Sequence, residues 1–145
     1  MDESFELVLS DWQTSREPLQ AIRRKVFILE QNIPEAEEFD DADGNSSHVL
    51  VLSEKRDAVG TGRIEATGKI ARLAVVAEYR NRGVGTAIVE RLIEEAGNRG
   101  YNRVFLHAQT QALTFYNKFG FVSDEKVFME AGIPHVLASL DLLSR

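Results

Sequence analysis

The chain of 145 residues contains no cysteine. That removes disulfides, cysteine-ligated zinc and thiol nucleophiles together, and it fits a cytoplasmic protein. No run approaches the roughly 18 apolar residues that a membrane helix needs, so a membrane role is not expected. The opening stretch MDESFELVLS has two early acids and no apolar run of signal-peptide length. Basic residues are outnumbered: 17 Lys and Arg stand against 23 Asp and Glu, for a net charge of -6. Nucleic-acid binding usually leaves a basic footprint, so no nucleic-acid partner is expected, whereas a cationic or amine-bearing partner fits.

Several chemistry-bearing patterns are also missing. There is no G-x-x-x-x-G-K-[ST] phosphate loop. Gly60-Thr61-Gly62 begins a dinucleotide fingerprint, but Glu65 stands where the third glycine belongs. No G-x-S-x-G elbow occurs. Asp41, Asp43 and Asn45 match the first ligand positions of a calcium loop, but Ser46 and Leu52 occupy its glycine and closing-glutamate positions. No metal is expected, and the acidic stretch PEAEEFDDADGNSS reads as a solvated loop.

What is present reads as one α+β domain spanning 1–145. Phe5, Leu7 and Leu9 alternate with Glu6, Val8 and Ser10, as in a strand with at least one buried face. Thr14 and Glu17 have capping-box spacing, with Pro18 in the first turn. Leu19, Ile22, Val26 and Leu29 then carry a helix to about Gln31, before Pro34. HVLVLS, AVGTGRIEA and KIARLAVV follow as an antiparallel meander. A helix with apolar lines Val84, Ile88, Leu92 and Val89, Ile93, Ala96 ends near Gly100. NRVFLHA is a strand, and the resulting βαβ unit makes it parallel to the strand before the helix. A short helix, ALTFYNKF, and a hairpin around Gly132-Ile133-Pro134 complete the chain.

The stretch RNRGVGTAIV joins strand to helix. The first N–H groups of a helix have no partner within it, and the helix dipole adds partial positive charge there. Gly83 and Gly85 bare that backbone, and Arg80 and Arg82 add full charges. The pattern suits a phosphate. Equally, the glycines could serve only the turn, with the arginines solvated.

Arg80-x-x-Gly83-x-Gly85 resembles the R/Q-x-x-G-x-G/A signature of the GCN5-related N-acetyltransferases (GNAT). IARLAVVAEYR is similar to the family's lead-in strand, and QALTFYNKFGF to its A-x-x-F-Y-x-x-x-G-F segment. RRKVFILEQNIPEAEEFDDAD and FLHAQ resemble the small bacterial YjcF/ElaA-like branch. The likeness runs through essentially the whole chain. It implies an acyl-CoA N-acyltransferase fold: a mixed, mostly antiparallel twisted sheet with helices on both faces.

The resemblance implies acetyl-CoA as co-substrate and a small-molecule or peptide amine as acceptor. Its pyrophosphate would meet N–H groups across Arg82, Gly83, Val84, Gly85 and Thr86, after Arg80. The splayed strand at Leu73, Ala74 and Val75 would pair with the pantetheine arm and hold the thioester oxygen. Gln109 replaces the asparagine that many relatives carry in contact with that arm. Tyr116 falls on the position of the general acid that protonates the departing thiolate. For the general base, His107 and Glu30 are both candidates and His48 is a third. Each has a structural alternative, as satisfied core histidine or solvated helix charge. Arg23, Phe27 and Glu30 share a helix stripe that faces the acceptor or is structural. A homodimer is common among relatives. The main competing reading is an acetyl-CoA-binding regulatory module without catalysis; a nucleotide-binding protein is the other.

Overall fold

The computed structural model describes residues 4–143. In chain order, β1 (Phe5–Asp11) leads into α1 (Trp12–Arg23), which continues as a π-helical segment, Arg24–Glu30. A short helix α2 (Glu35–Glu38) and a 3₁₀ turn (Asp41–Asn45) precede β2 (Ser47–Ser53), β3 (Ala58–Ile64) and β4 (Lys69–Val75). Then come α3 (Val84–Asn98), β5 (Arg103–Gln109), α4 (Leu113–Asn117), β6 (Val122–Ser123), β7 (Phe128–Glu130) and β8 (Ile133–Asp141).

The strands form one sheet in the order β1-β2-β3-β4-β5-β8-β6, with β7 also paired to β8. All pairings are antiparallel except β4 with β5. The mixed, mostly antiparallel α+β architecture expected from the sequence is therefore the one observed. The six apolar residues read as two lines on α3 are its six buried residues. Past its end, Gly100 has φ of 78°, and the Tyr101 N–H reaches the Ala96 carbonyl at 3.0 Å. That is a Schellman closure.

The side chains of β3 alternate between two faces. One face meets α3 so closely that a Cβ on Gly62 would lie 2.7 Å from Ile88 Cγ2 and 3.1 Å from Leu92 Cδ1. The Gly60-x-Gly62 pair, which mimics a nucleotide fingerprint, is thus a seat for a helix. Gly62→Ala is expected to destabilise the fold by about 1–3 kcal/mol through overpacking, read as a lowered urea midpoint. An unchanged midpoint would mean that α3 can slide.

The other face of β3 carries Thr61 and Arg63 toward α1 and the acidic stretch, and here three expectations fail. First, α1 is capped by Asp11, whose carboxylate accepts the Thr14 N–H at 2.7 Å. Thr14 and Glu17 form no capping box, because the helix starts three residues earlier, with Asp11 as its cap, and kinks at Ser15. Pro18 sits in the first turn after that kink, where a missing N–H costs little.

Second, the acidic stretch is not a solvated loop. Glu38 and Asp43 are each 2% exposed, and Arg23 and Arg63 are 0% and 1% exposed. Arg23 donates from Nε to Glu38 (2.8 Å) and from both Nη atoms to Asp43 (2.6 and 3.1 Å). Arg63 shares Asp43 at 2.8 Å and also binds Asp40 and Glu65. Four acids and two buried guanidiniums interlock, with Arg72 adding contacts to Glu38 and Asp40. Third, Pro134 belongs to β8 rather than to the turn, pairing with Met129 beyond the reach of β5. Ala131 and Gly132, both at positive φ, make that turn.

Candidate active site

The parallel ladder between β4 and β5 consists of two register pairs, Lys69 with Phe105 and Ile70 with Leu106. Beyond them the strands part. β4 continues along β3 alone, through a bulge between Thr61 and Arg63 that leaves Arg72 at φ of 57°. The bulge turns the strand out of its regular pleat. Backbone groups of Leu73, Ala74 and Val75 on the β5 side thus have no strand to pair with. An extended ligand can take the place of the missing strand.

At the end of β4 the chain turns through Asn81 and Gly83, with φ of 62° and 85°. Gly83 caps α3 in the left-handed conformation, and among the described residues, its chain neighbours aside, no atom lies within 4 Å of where its Cβ would be. The N–H groups of Val84, Gly85 and Thr86 are the first-turn donors of a fifteen-residue helix. Phe115 of α4 packs beside Gly85, 3.5 Å from its Cβ position, and so closes the far wall of the splay. Arg82 stacks its guanidinium on Tyr79, 5.0 Å from the ring centre.

Arg80 is committed within the protein. Its Nε donates to the Val75 carbonyl at 2.8 Å, and its two Nη atoms grip Glu30 at 2.6 and 2.7 Å. The fork ties the end of the π-helical segment to the end of β4. The Arg80 hydrogen bond also holds the Glu30 carboxyl below its ordinary value of 4.5. An ionised, paired carboxylate of this kind is a weak base.

Opening from the splay is a cleft of about 490 Å³. Leu73, His107, Gln109, Phe115 and Tyr116 all line it, together with Gln31, Arg72, Glu130 and His135. Glu30 does not. His48 does not either: it is 1% exposed, its Nε2 is 3.1 Å from the Asp43 carbonyl, and the Trp12 ring packs against it at a tilt, 5.6 Å between centres. Burial pushes its pKa down. The stripe of Arg23, Phe27 and Glu30 is split in the same way. Arg23 enters the buried ion network, Phe27 enters the core while also lining the cleft, and the π-helical winding from Arg24 carries Glu30 to Arg80.

The Tyr116 hydroxyl makes no hydrogen bond to the protein among the described residues, and burial pushes the phenol up to about 12. It therefore keeps its proton at any working pH. Gln109 donates from Nε2 to Gln31 at 3.1 Å and accepts from Gln111. The amide is held from both sides beside the cleft. His107 Nδ1 lies 2.8 Å from Glu130 Oε1. Gln31, Glu130 and His135 were not singled out from the sequence. Gln31 alone carried a signal there, as the glutamine of the branch-like EQ pair.

Among the described residues no cluster of acids and histidines could hold a metal ion, and no helix is long and apolar enough to cross a membrane. The donors and the space instead fit an acyl-CoA. An unpaired strand backbone can take an amide-bearing arm, and a bared helix N-terminus can take its phosphates.

Comparison with known proteins agrees. Residues 15–142 match the family described as "Acetyltransferase (GNAT) domain". The uncharacterized protein YyaT of Bacillus subtilis (strain 168) is 42% identical over 83% of this chain and 85% of its own. The uncharacterized N-acetyltransferase YjcF of the same organism is 40% identical over 79% and 84%. The crystal structure of Escherichia coli ElaA superposes with a TM-score of 0.85 at 25% identity, over 95% of this chain and 100% of that one. The chain belongs to the GNAT family of acyl-CoA-dependent N-acyltransferases, which act on amine acceptors.

Proposed function

We propose that the protein transfers an acetyl group from acetyl-CoA to a primary amine, by direct attack within a ternary complex in the cytoplasm. One observation carries this reading. The splay of β4 from β5 runs into the Gly83-capped start of α3 at one end and opens into the cleft of Tyr116 and His107 beside it. A single extended thioester reaches both.

In this reading acetyl-CoA supplies an activated carbonyl. Backbone groups of Leu73, Ala74 and Val75 orient the pantetheine arm, and an N–H among them faces the carbonyl oxygen as it gains negative charge. The turn from Arg82 to Thr86 holds the phosphates, and Gln109 offers its amide to the arm. Arg80 contributes by clamping the turn to Glu30 rather than by reaching outward. His107 takes the proton of the attacking amine, and Tyr116 gives its proton to the departing sulfur. His107 is preferred to Glu30 because it lines the cleft, whereas Glu30 is spent on Arg80. Bringing amine and thioester together supplies much of the remaining acceleration.

Calorimetric titration with acetyl-CoA tests the reading. Wild type should bind saturably. Gly83→Glu should abolish binding, because its side chain projects into open space with a negative charge where the phosphates sit. Gly83→Asn, which tolerates positive φ and adds no charge, should retain most of the affinity. No binding by wild type would sink the proposal.

A further inference from the structure

The cleft wall opposite β4 carries a group of three side chains from three strands. His107 stands on β5, His135 on β8 and Glu130 at the end of β7. The register sets them on one face: Gln109 pairs with His135, His107 with Leu137, and Glu130 with Ile133. Residues two apart along a strand share a face. The tight turn at Ala131 and Gly132 ends β7 at Glu130, whose side chain reaches across β8 to His107.

The chemistry of the contact fixes the proton. Burial raises the Glu130 carboxyl, but the His107 hydrogen bond, with Lys69 nearby, outweighs it and leaves its pKa lowered. The carboxylate is therefore ionised and can only accept. His107 Nδ1 must then be the donor in the 2.8 Å bond. In the neutral ring this leaves the lone pair on Nε2.

His135 has the matching arrangement. Its Nδ1 lies 2.7 Å from the Ile133 carbonyl, which also only accepts. Its Nε2 lies 3.9 Å from the second oxygen of Glu130. Phe128 holds both rings in place, edge-on to His107 at 5.1 Å and stacked on His135 at 5.9 Å.

We infer that Glu130 is a positioning residue: it fixes His107 in its Nδ1–H tautomer, so that Nε2 is the proton acceptor of the cleft. The inference rests on the acyl-transfer reading above and adds the residue that makes His107 competent. When Nε2 takes the proton of the attacking amine, the ring becomes a cation. Glu130, already hydrogen-bonded to Nδ1, stabilises that charge without itself being protonated. The acyl group moves to the amine nitrogen, and the sulfur leaves with the proton of Tyr116. His135 and Phe128 keep the carboxylate and ring from turning away.

The test combines a spectroscopic and a kinetic readout. Nitrogen-15 shifts of the His107 ring should show a protonated Nδ1 and a lone-pair Nε2 in wild type, and a mixture of tautomers in Glu130→Gln. In the same variant, calorimetric affinity for acetyl-CoA should be unchanged. Release of CoA would be followed with the fastest amine from a panel of monoamines, diamines and lysyl peptides. Here kcat should fall on the order of 100-fold, within the range of a general base, with KM for acetyl-CoA preserved. His107→Gln with Glu130→Gln should be no slower than His107→Gln alone, since the two act as a unit.

Mixed His107 tautomers in wild type, or a Glu130→Gln enzyme with wild-type kcat, would overturn the inference. A wild type that fails to bind acetyl-CoA would instead overturn the acyl-transfer reading, and with it the use of the pair. The ring shifts separate the two failures.

Discussion

Arg23→Leu is expected to lower the stability of the fold by about 3–5 kcal/mol, the usual cost of removing one partner from a buried ion pair. The reason lies in what stays behind. Arg23 is fully buried and satisfies Glu38 through Nε and Asp43 through both Nη atoms. Leucine fills much of the volume but leaves two carboxylates facing a low-dielectric interior. Arg63 still shares Asp43, so that acid is half compensated. Glu38 retains Arg72 at 3.2 Å. Arg24→Leu is the control one residue away. Its pair with Glu35 is exposed on both sides, and such pairs are worth about 0–1 kcal/mol. Urea unfolding of the two variants measures both. Equal midpoints would show that water reaches the network and screens it.

Tyr116→Phe should reduce kcat by about 10²–10⁴-fold, the span of general acid catalysis, while leaving acetyl-CoA affinity intact. The substitution removes one oxygen and keeps the ring, so the edge-on packing of Tyr116 on Phe115 and Phe121 survives. Burial holds the phenol near 12, which keeps the proton on its oxygen until the departing sulfur develops negative charge beside it. Steady-state rates of CoA release for wild type and variant decide the matter. An unchanged kcat would remove Tyr116 from the proton path and leave it as a wall of the cleft. A loss of acetyl-CoA affinity would recast its role as binding.

The two substitutions sample different layers of the molecule. Arg23 acts on the face of β3 that supports the acidic stretch, and that stretch forms one side of the cleft through Glu37, Glu38 and Asp40. Tyr116 acts on the opposite side, from α4. A stability loss in Arg23→Leu with normal acetyl-CoA binding below its melting range would show that the support is mechanical.

The parts of this protein that its sequence determined by itself are local. The stripe on α3, the glycine cap at its start and the Schellman closure at its end each depend on residues within a few positions of one another. The open turn at Gly83 was legible for the same reason, since a bared helix start is a property of one short stretch. The capping of α1 was misread although it too is local, because Thr14 and Glu17 imitate a box while Asp11, three residues before Thr14, holds the cap.

What only the tertiary structure decided are pairings between residues far apart. Asp43 lies 20 residues from Arg23 and 20 from Arg63. Such a separation carries no periodic signal, and an acidic run reads as solvated until its partners are known. Gln109 meets Gln31 across 78 positions, Arg80 meets Glu30 across 50, and Glu130 meets His107 across 23. The sheet order brings β5, β8 and β7 side by side, and that order places His107 and His135, rather than His48, in the cleft with Tyr116. Charge and acidity depend on distance and burial, which the chain acquires only when its strands have found their neighbours.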